Sequence, residues 1–208
     1  MRTALTLALA VLLLGAQPFA DAVAGKASRQ LSERTWKQLT RVHELMQKER
    51  YGEALAGLDR LQPRVERRPY ENALLLQTYG HLHARQEQYP RAIEALQQCL
   101  SLKALPEDAS QQSLYLLAQL QLASSDYRAA AASLEQWFAL EKNPAPAAHA
   151  LAGTVYAYLE AWPRAVRHLR QAIGLARQPD ENWYRQLLAV YYDSRQYQAA
   201  VDLLQQLI

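Results

Sequence analysis

The sequence predicts an all-α protein, an α-solenoid of about five helix-turn-helix repeats, because one short pattern recurs five times at a nearly constant spacing. In each copy an aromatic residue is followed three positions later by alanine, and four positions after that by leucine. The alanines lie 38, 38, 35 and 35 residues apart, at Ala54, Ala92, Ala130, Ala165 and Ala200. A repeat of this length holds two antiparallel helices, called helix A and helix B here, and the pattern marks the start of helix B.

Small residues in helix A support this interpretation. Twelve positions before the alanine, the second, third and fourth copies carry Gly80, Ala118 and Gly153, whereas the first and last carry Val42 and Leu188. A glycine inside a helix costs ~1 kcal/mol relative to alanine, so these glycines need a reason in the packing. We expect helices A and B to approach closely there, with the leucine of the pattern filling the space between them.

The order of small, aromatic, alanine and bulky positions resembles the tetratricopeptide repeat (TPR) over residues 33–208. The resemblance implies a right-handed α-solenoid whose A helices line a concave groove for a peptide or protein partner. The repeats are expected at about 33–69, 70–107, 108–144, 145–180 and 181–208. Val42 and Leu188 depart from the family pattern at the small position.

Prolines are expected at the ends of helices. Pro90 and Pro163 directly follow the aromatic residue of their repeats, and proline suits the first turn of a helix, so they should begin helix B. Pro63 is expected to end helix B of the first repeat, since a proline inside a helix removes a hydrogen bond. The sequence thus predicts no proline in a helix interior.

The N-terminus predicts export. Arg2 precedes an apolar run at residues 4–14, and small residues at positions 20, 22 and 24 form alternative cleavage sites. Residues 1–22 are therefore expected to be a signal peptide and residues 23–32 a short polar tether, which in a bacterium places the protein in the periplasm. An uncleaved anchor is the alternative. No cysteine follows the apolar run, so a lipoprotein is not expected.

Composition argues against several classes of function. Half of the 208 residues are hydrophobic, and the net charge is only +3 with acidic and basic residues interspersed, which favours neither a nucleic-acid nor a membrane-surface partner. Cys99 is the only cysteine, so no internal disulfide is expected, and its position in helix B predicts a buried side chain.

The sequence contains no recognisable catalytic or phosphate-binding motif, and we expect neither an enzyme nor a cofactor. His81 and His83 lie two positions apart and point to different sides of a helix. His43 and His81 occupy equivalent positions in successive repeats, where their rings can lie side by side. No carboxylate completes a ligand set with them, so no metal site is expected.

By register with the family, the resemblance assigns a set of residues to the concave groove. The expected partner-binding residues are Trp36, His43, Gln77, His81, Arg85, Tyr115, Gln119, Tyr158, Arg185 and Tyr192, with Leu39, Met46, Leu122, Thr154, Asn182 and Asp193 at further groove positions. The lysine and asparagine clamp with which some family members hold a C-terminal carboxylate is absent. For Tyr158 and Tyr192, packing between neighbouring A helices is the alternative.

A narrower resemblance rests on the segments SLYLLAQL, LEQWFALEKNPAPAAHALAG and ENWYRQLLAVYY. They are similar to periplasmic TPR proteins associated with TonB, ExbB and ExbD energy-transduction systems. This resemblance implies an adaptor that binds an envelope protein. The alternatives are a scaffold for a secretion, pilus or polysaccharide-export machine, and the solenoid part of a longer envelope enzyme.

The last helix carries apolar residues that no further helix in the sequence covers, namely Leu203, Leu204, Leu207 and Ile208. Solenoid repeats bury their apolar side only against a neighbour. We therefore expect either that the reading frame continues or that this edge pairs with a second copy or a partner.

Overall fold

The computed structural model describes residues 31–206, and within this range every regular element is an α-helix. The predicted signal peptide, most of the tether, Leu207 and Ile208 lie outside the described residues. The ten helices of that range are α1 (Glu33–Gln47), α2 (Tyr51–Val65), α3 (Pro69–Arg85), α4 (Tyr89–Ser101), α5 (Glu107–Ala123), α6 (Tyr127–Leu140), α7 (Pro146–Tyr158), α8 (Trp162–Leu175), α9 (Glu181–Asp193) and α10 (Tyr197–Gln206). Odd-numbered helices are the A helices and even-numbered helices the B helices, so the prediction of an all-α fold of helix pairs is confirmed.

Prolines begin helices as predicted, with one exception. Pro90 and Pro163 lie in the first turns of α4 and α8. Pro63, however, lies inside α2, which continues to Val65, so the prediction that it ends the helix was wrong. Only two helical residues follow Pro63, and the Glu66 N–H still bonds the Gln62 carbonyl at 3.1 Å. The cost of the proline is thus confined to the last turn.

The turn between helices A and B has the same backbone form in all five pairs of the described range. Its left-handed residue is Glu49, Glu87, Ser125, Glu160 or Arg195, with φ between 56° and 62°. The next N–H reaches back five residues, as in the 2.9 Å bond from Ala161 N–H to the Tyr156 carbonyl. This is the Schellman arrangement, which normally favours glycine. It satisfies helix-end carbonyls in every repeat.

The chain divides into two compact units, the first ending at Ser113 and the second beginning at Leu114. In the first unit, Gly80 on α3 lies directly against Leu96 on α4, and Leu96 is fully buried. The other leucine of the pattern in this unit, Leu58, is also fully buried, and Val42 packs on Gly57. The predicted close approach of helices A and B at a glycine is confirmed.

In the second unit the same relationship joins Gly153 on α7 to Leu169 on α8, which is fully buried. The last pair differs, since Leu204 keeps 48% of its surface exposed and α10 contains no buried residue. Its counterpart on α9 is Leu188, where the fourth repeat has Gly153.

Polar side chains join successive A helices. In the first unit, the buried Glu71 of α3 accepts hydrogen bonds from the Ser32 N–H at 2.8 Å and the Thr35 hydroxyl at 2.9 Å. In the second, the Thr154 hydroxyl donates to Gln186 Oε1 at 3.0 Å. Burial alone would raise the pKa of Glu71, but the hydrogen bonds from Ser32, Thr35 and Arg68 outweigh it and lower the pKa. These bonds fix the positions of neighbouring A helices.

Candidate functional site

Four of the predicted groove residues in the first unit, Trp36, His43, His81 and Arg85, retain exposed surface on α1 and α3. Trp36 is 37% exposed, Arg85 is exposed, and the two histidines are half-buried. Burial, together with the electrostatic effects of His43 and Arg85, lowers the pKa of His81 to about 4. His81 is therefore neutral at physiological pH, so that its ring can donate one hydrogen bond and accept another. We call these four residues the first helix-A face.

Gln77 is buried, although the sequence predicted it at the groove surface. It is only 8% exposed, and its Nε2 donates to Ser113 Oγ at 2.9 Å and to the Ala109 carbonyl at 3.4 Å. Its amide is used to hold α3 against α5. Gln77 therefore belongs to the polar links between A helices and is not available to a partner.

In the second unit, Tyr158 at the end of α7 is 41% exposed and stacks on Tyr127 of α6. The ring centroids are 4.4 Å apart and the ring planes differ by 3°. This contact is with a B helix, whereas the alternative expected from the sequence was packing between neighbouring A helices. The stack fixes one side of the Tyr158 ring and leaves the other accessible, which lowers the entropy that the side chain would lose on binding.

Tyr192 and Arg185 on α9 are both exposed. Tyr192 is 68% exposed, and its ring packs edge-on against that of Tyr197, the first residue of α10, with the ring centroids 5.8 Å apart. Arg185 bonds Glu181 at 2.6 Å, one turn earlier on the same helix, in an exposed pair that costs little to break. Tyr158, Arg185 and Tyr192 make up the second helix-A face.

Tyr115 and Gln119, predicted at the groove on α5, are half-buried. The Tyr115 ring packs against Trp137 of α6 at 5.0 Å between centroids, and burial raises the pKa of its hydroxyl. The bulk of Trp137 late in α6 thus fills space inside the pair α5 and α6. The main role of Tyr115 is therefore in packing, and only part of its surface is accessible to a partner.

Four of the further groove positions are buried, which corrects their assignment. Leu39, Met46, Leu122 and Thr154 are 2%, 4%, 6% and 8% exposed. Asn182 and Asp193 are exposed, as expected. The family register identified the A helices correctly, but each helix turns some of the assigned positions toward its neighbours.

A buried cluster in the second unit was not predicted from the sequence. His149 of α7 and His168 of α8 face each other with their Nδ1 atoms 3.0 Å apart, and Phe138 of α6 packs on both rings. A hydrogen bond between the two Nδ1 atoms requires one of them to be unprotonated, so at most one ring can carry a positive charge. Burial lowers the pKa of His149, and it lowers the pKa of His168 to about 4. The repeat register could have predicted that His168 is buried. Its equivalents in the earlier repeats, Gly57, Ala95 and Ser133, are all buried small residues.

The remaining ionisable candidates are structural. The Cys99 thiol donates to the Ala73 carbonyl at 3.1 Å, and burial raises its pKa to about 12. His83 Nδ1 lies 3.0 Å from Gln88 Oε1 at the turn before α4. Across residues 31–206, no cluster of three or more histidine, cysteine, aspartate or glutamate side chains is arranged to hold a metal ion. No helix between Leu31 and Gln206 combines the length and apolar character needed to cross a membrane.

No protein-family model and no curated protein matches the chain. Among solved structures, it is similar to MamA, residues 41 to the end, from Desulfovibrio magneticus RS-1, with a TM-score of 0.70 and 16% identity over 85% of this chain and 94% of that one. A crystal structure of MamA protein gives a TM-score of 0.71 and 17% identity over 84% of this chain and 90% of that one. A Q17M variant of the Podosopora anserina putative kinesin light chain, described as having TPR-like repeats, gives 0.63 and 20%, covering 85% and 95%.

At these identities the similarity concerns the fold. The chain has the fold of a TPR-like repeat protein, as its repeat pattern predicts.

Proposed function

We propose that this protein is a periplasmic adaptor that binds another envelope protein through its helix-A faces. The observation that carries the proposal is the Tyr127–Tyr158 stack, which holds an aromatic ring at the surface of the second unit with 41% of Tyr158 exposed. Exposed aromatic and arginine side chains dominate the binding energy of many protein interfaces. Tyr192 adds a second exposed aromatic ring on α9, and Arg185 adds an exposed guanidinium group there.

The polar links between A helices support the same proposal. The bond from Thr154 to Gln186 joins α7 to α9, the two helices that carry the second helix-A face. A surface on helices fixed in this way loses little conformational entropy when a partner binds. The TPR-like fold is compatible with such a scaffold.

The periplasmic location rests on the signal-peptide pattern in residues 1–22. The narrower sequence resemblance favours a TonB, ExbB or ExbD system as the setting for the partner. Mass spectrometry of the native protein should find an N-terminus near Val23 or Gly25. An intact Met1 would contradict cleavage, and recovery in the cytoplasmic fraction would contradict the location.

Site-specific photo-cross-linking tests the adaptor function. A photo-reactive amino acid replaces Tyr158 in the cell, and the matched control carries it at the exposed Arg167 on α8. We expect an exported protein to be cross-linked from position 158 and not from position 167. Identification of TonB, ExbB or ExbD would support the narrower pathway. Equal cross-linking from both positions, or cross-linking only to proteins without an export signal, would contradict the proposal.

A second candidate function is pairing with a second copy of the chain through α10. Val201 and Leu204 are 44% and 48% exposed, and with Tyr197 they form an apolar stripe on one side of that helix. Asp202 is the only charged residue of α10, so two copies that face each other through this helix would bring together only one negative charge from each. Sedimentation should show a dimer that Leu204→Glu converts to a monomer. A monomeric wild-type protein at micromolar concentration would exclude this candidate.

A further inference from the structure

A groove between α1 and α2 of the first unit has a chemistry unlike that of the first helix-A face. Its cavity measures about 340 Å³ and is lined by Gln38, Arg41, Val42, Leu45, Glu53, Gly57, Arg60, Leu61 and Arg64. On α1, Gln38 and Leu45 lie two positions after Trp36 and His43. Two positions turn a helix by about 200°, so the groove and the first helix-A face occupy different sides of α1.

The floor of the groove is apolar and is shaped by a glycine. Val42, Leu45 and Leu61 are 1%, 9% and 3% exposed. Gly57 has no side chain to fill the space above the floor, and a Cβ atom there would lie only 3.0 Å from Val42 Cγ2. The groove therefore presents a small apolar depression between two helices.

The rim carries uncompensated positive charge. None of Arg41, Arg60 and Arg64 forms an ion pair with a residue in the described range 31–206, and Arg60 and Arg64 lie one turn apart on α2. Glu53, the only acidic residue that lines the groove, is already held by Arg50 through two bonds of 2.6 Å. The lining thus offers guanidinium groups but no free carboxylate to balance them.

We propose that this arginine groove binds an acidic segment of another protein, with carboxylates on Arg41, Arg60 and Arg64 and an apolar side chain on the floor. Arginine binds a carboxylate through two parallel hydrogen bonds, which gives geometric selectivity as well as attraction. The apolar floor favours such a segment over a free anion, because a free anion has no apolar group to bury against the floor.

Charge complementarity argues against occupants from this chain. Residues 1–30 contain three basic residues, Arg2, Lys26 and Arg29, and one acidic residue, Asp21, so that segment has the same sign of charge as the rim. The apolar stripe of α10 contains no carboxylate, and Asp202, the only acidic residue of that helix, could pair with at most one of the three arginines. An acidic segment from a different protein fits the rim best.

Fluorescence anisotropy with the full-length chain tests the proposal. The probe is a short fluorescein-labelled peptide of alternating glutamate and leucine, and its counterpart with glutamine in place of glutamate is the control peptide. We expect binding of the acidic peptide only, with affinity that falls as salt increases. The double variant Arg60→Gln/Arg64→Gln should weaken binding about tenfold or more, since both changes remove charge-assisted hydrogen bonds.

The matched control is Arg167→Gln/Arg177→Gln, which removes the same charge from exposed positions of the second unit and should change the affinity less than about twofold. The triple alanine variant at Tyr158, Arg185 and Tyr192 should bind the peptide normally, which separates this groove from the helix-A faces. Lack of peptide binding, equal weakening by the two arginine double variants at unchanged melting temperature, or full competition by inorganic phosphate would each overturn the proposal.

Discussion

Leu96 lies over Gly80 so closely that a Cβ atom on residue 80 would come within 2.6 Å of Leu96 Cγ. The same 2.6 Å distance separates a hypothetical Cβ on Gly153 from Leu169 Cγ. Each leucine lies four residues after the alanine of its repeat, and each glycine twelve residues before it. The spacing of the sequence pattern is therefore the spacing of a direct contact between helices A and B.

Larger side chains at these glycines should destabilise the protein. Gly80→Leu or Gly153→Leu should lower the free energy of unfolding by ~1 to 3 kcal/mol or more, because the added atoms overlap a fully buried leucine. Thermal or urea unfolding measures the change.

Two control substitutions separate packing from helix propensity. Gly174 on α8 has nothing within 4 Å of its hypothetical Cβ, so Gly174→Ala should stabilise the protein by up to ~1 kcal/mol. Arg167→Ala should be nearly silent. If the Gly80→Leu and Gly153→Leu variants melted at the same temperature as these two controls, the assigned contact would be contradicted.

The repeated left-handed turn residue gives a second prediction. Glu160 has φ of 56°, a conformation that costs a residue with a Cβ atom roughly 1 kcal/mol and costs glycine little. Glu160→Gly should therefore raise the free energy of unfolding, whereas Glu160→Ala, which keeps the Cβ, should leave it nearly unchanged. Equal stability of the two variants would show that the turn is not strained.

The buried histidines predict a loss of stability in acid. Burial lowers the pKa of His168 in the folded protein from its ordinary 6.5 to about 4, with His149 and Arg167 adding to the effect. Between these values the unfolded chain binds more protons than the folded one, so stability falls as pH decreases from 6.5 toward 4.

Urea unfolding at pH 7 and pH 4.5 measures this effect. The double variant His149→Leu/His168→Leu should lose part of the difference between the two pH values. His81, whose pKa is also lowered to about 4 by burial, remains in the variant, so some dependence on pH persists. An unchanged difference in the double variant would show that the pair does not titrate as described.

The helix pairs and the glycine contacts were predictable because both depend on local spacing. The aromatic, alanine and leucine positions report the register of one helix against its nearest neighbour in the chain, and Leu96 against Gly80 lies within that register. The continuation of α2 through Pro63 was not predictable from the tendency of proline to end helices. So close to the end of α2, the hydrogen bond that a proline removes costs the helix little.

The candidate site was predicted less completely, because it depends on contacts between repeats. The sequence predicted Gln77 at the groove, but its side chain donates hydrogen bonds to Ser113 and Ala109 and so joins α3 to α5. The pairing of His149 with His168 depends on how α7 and α8 face each other, and no motif marks it. For Tyr158, the sequence indicated an exposed aromatic residue but not the Tyr127 ring beneath it.

The most direct test of the adaptor function is quantitative binding of the cross-linked partner to a triple variant. Tyr158→Ala, Arg185→Ala and Tyr192→Ala together should abolish binding, because these residues supply the exposed aromatic and arginine groups of the second helix-A face. The melting temperature should change little, since all three side chains are exposed. A folded triple variant that binds the partner with wild-type affinity would contradict the proposed function of this face.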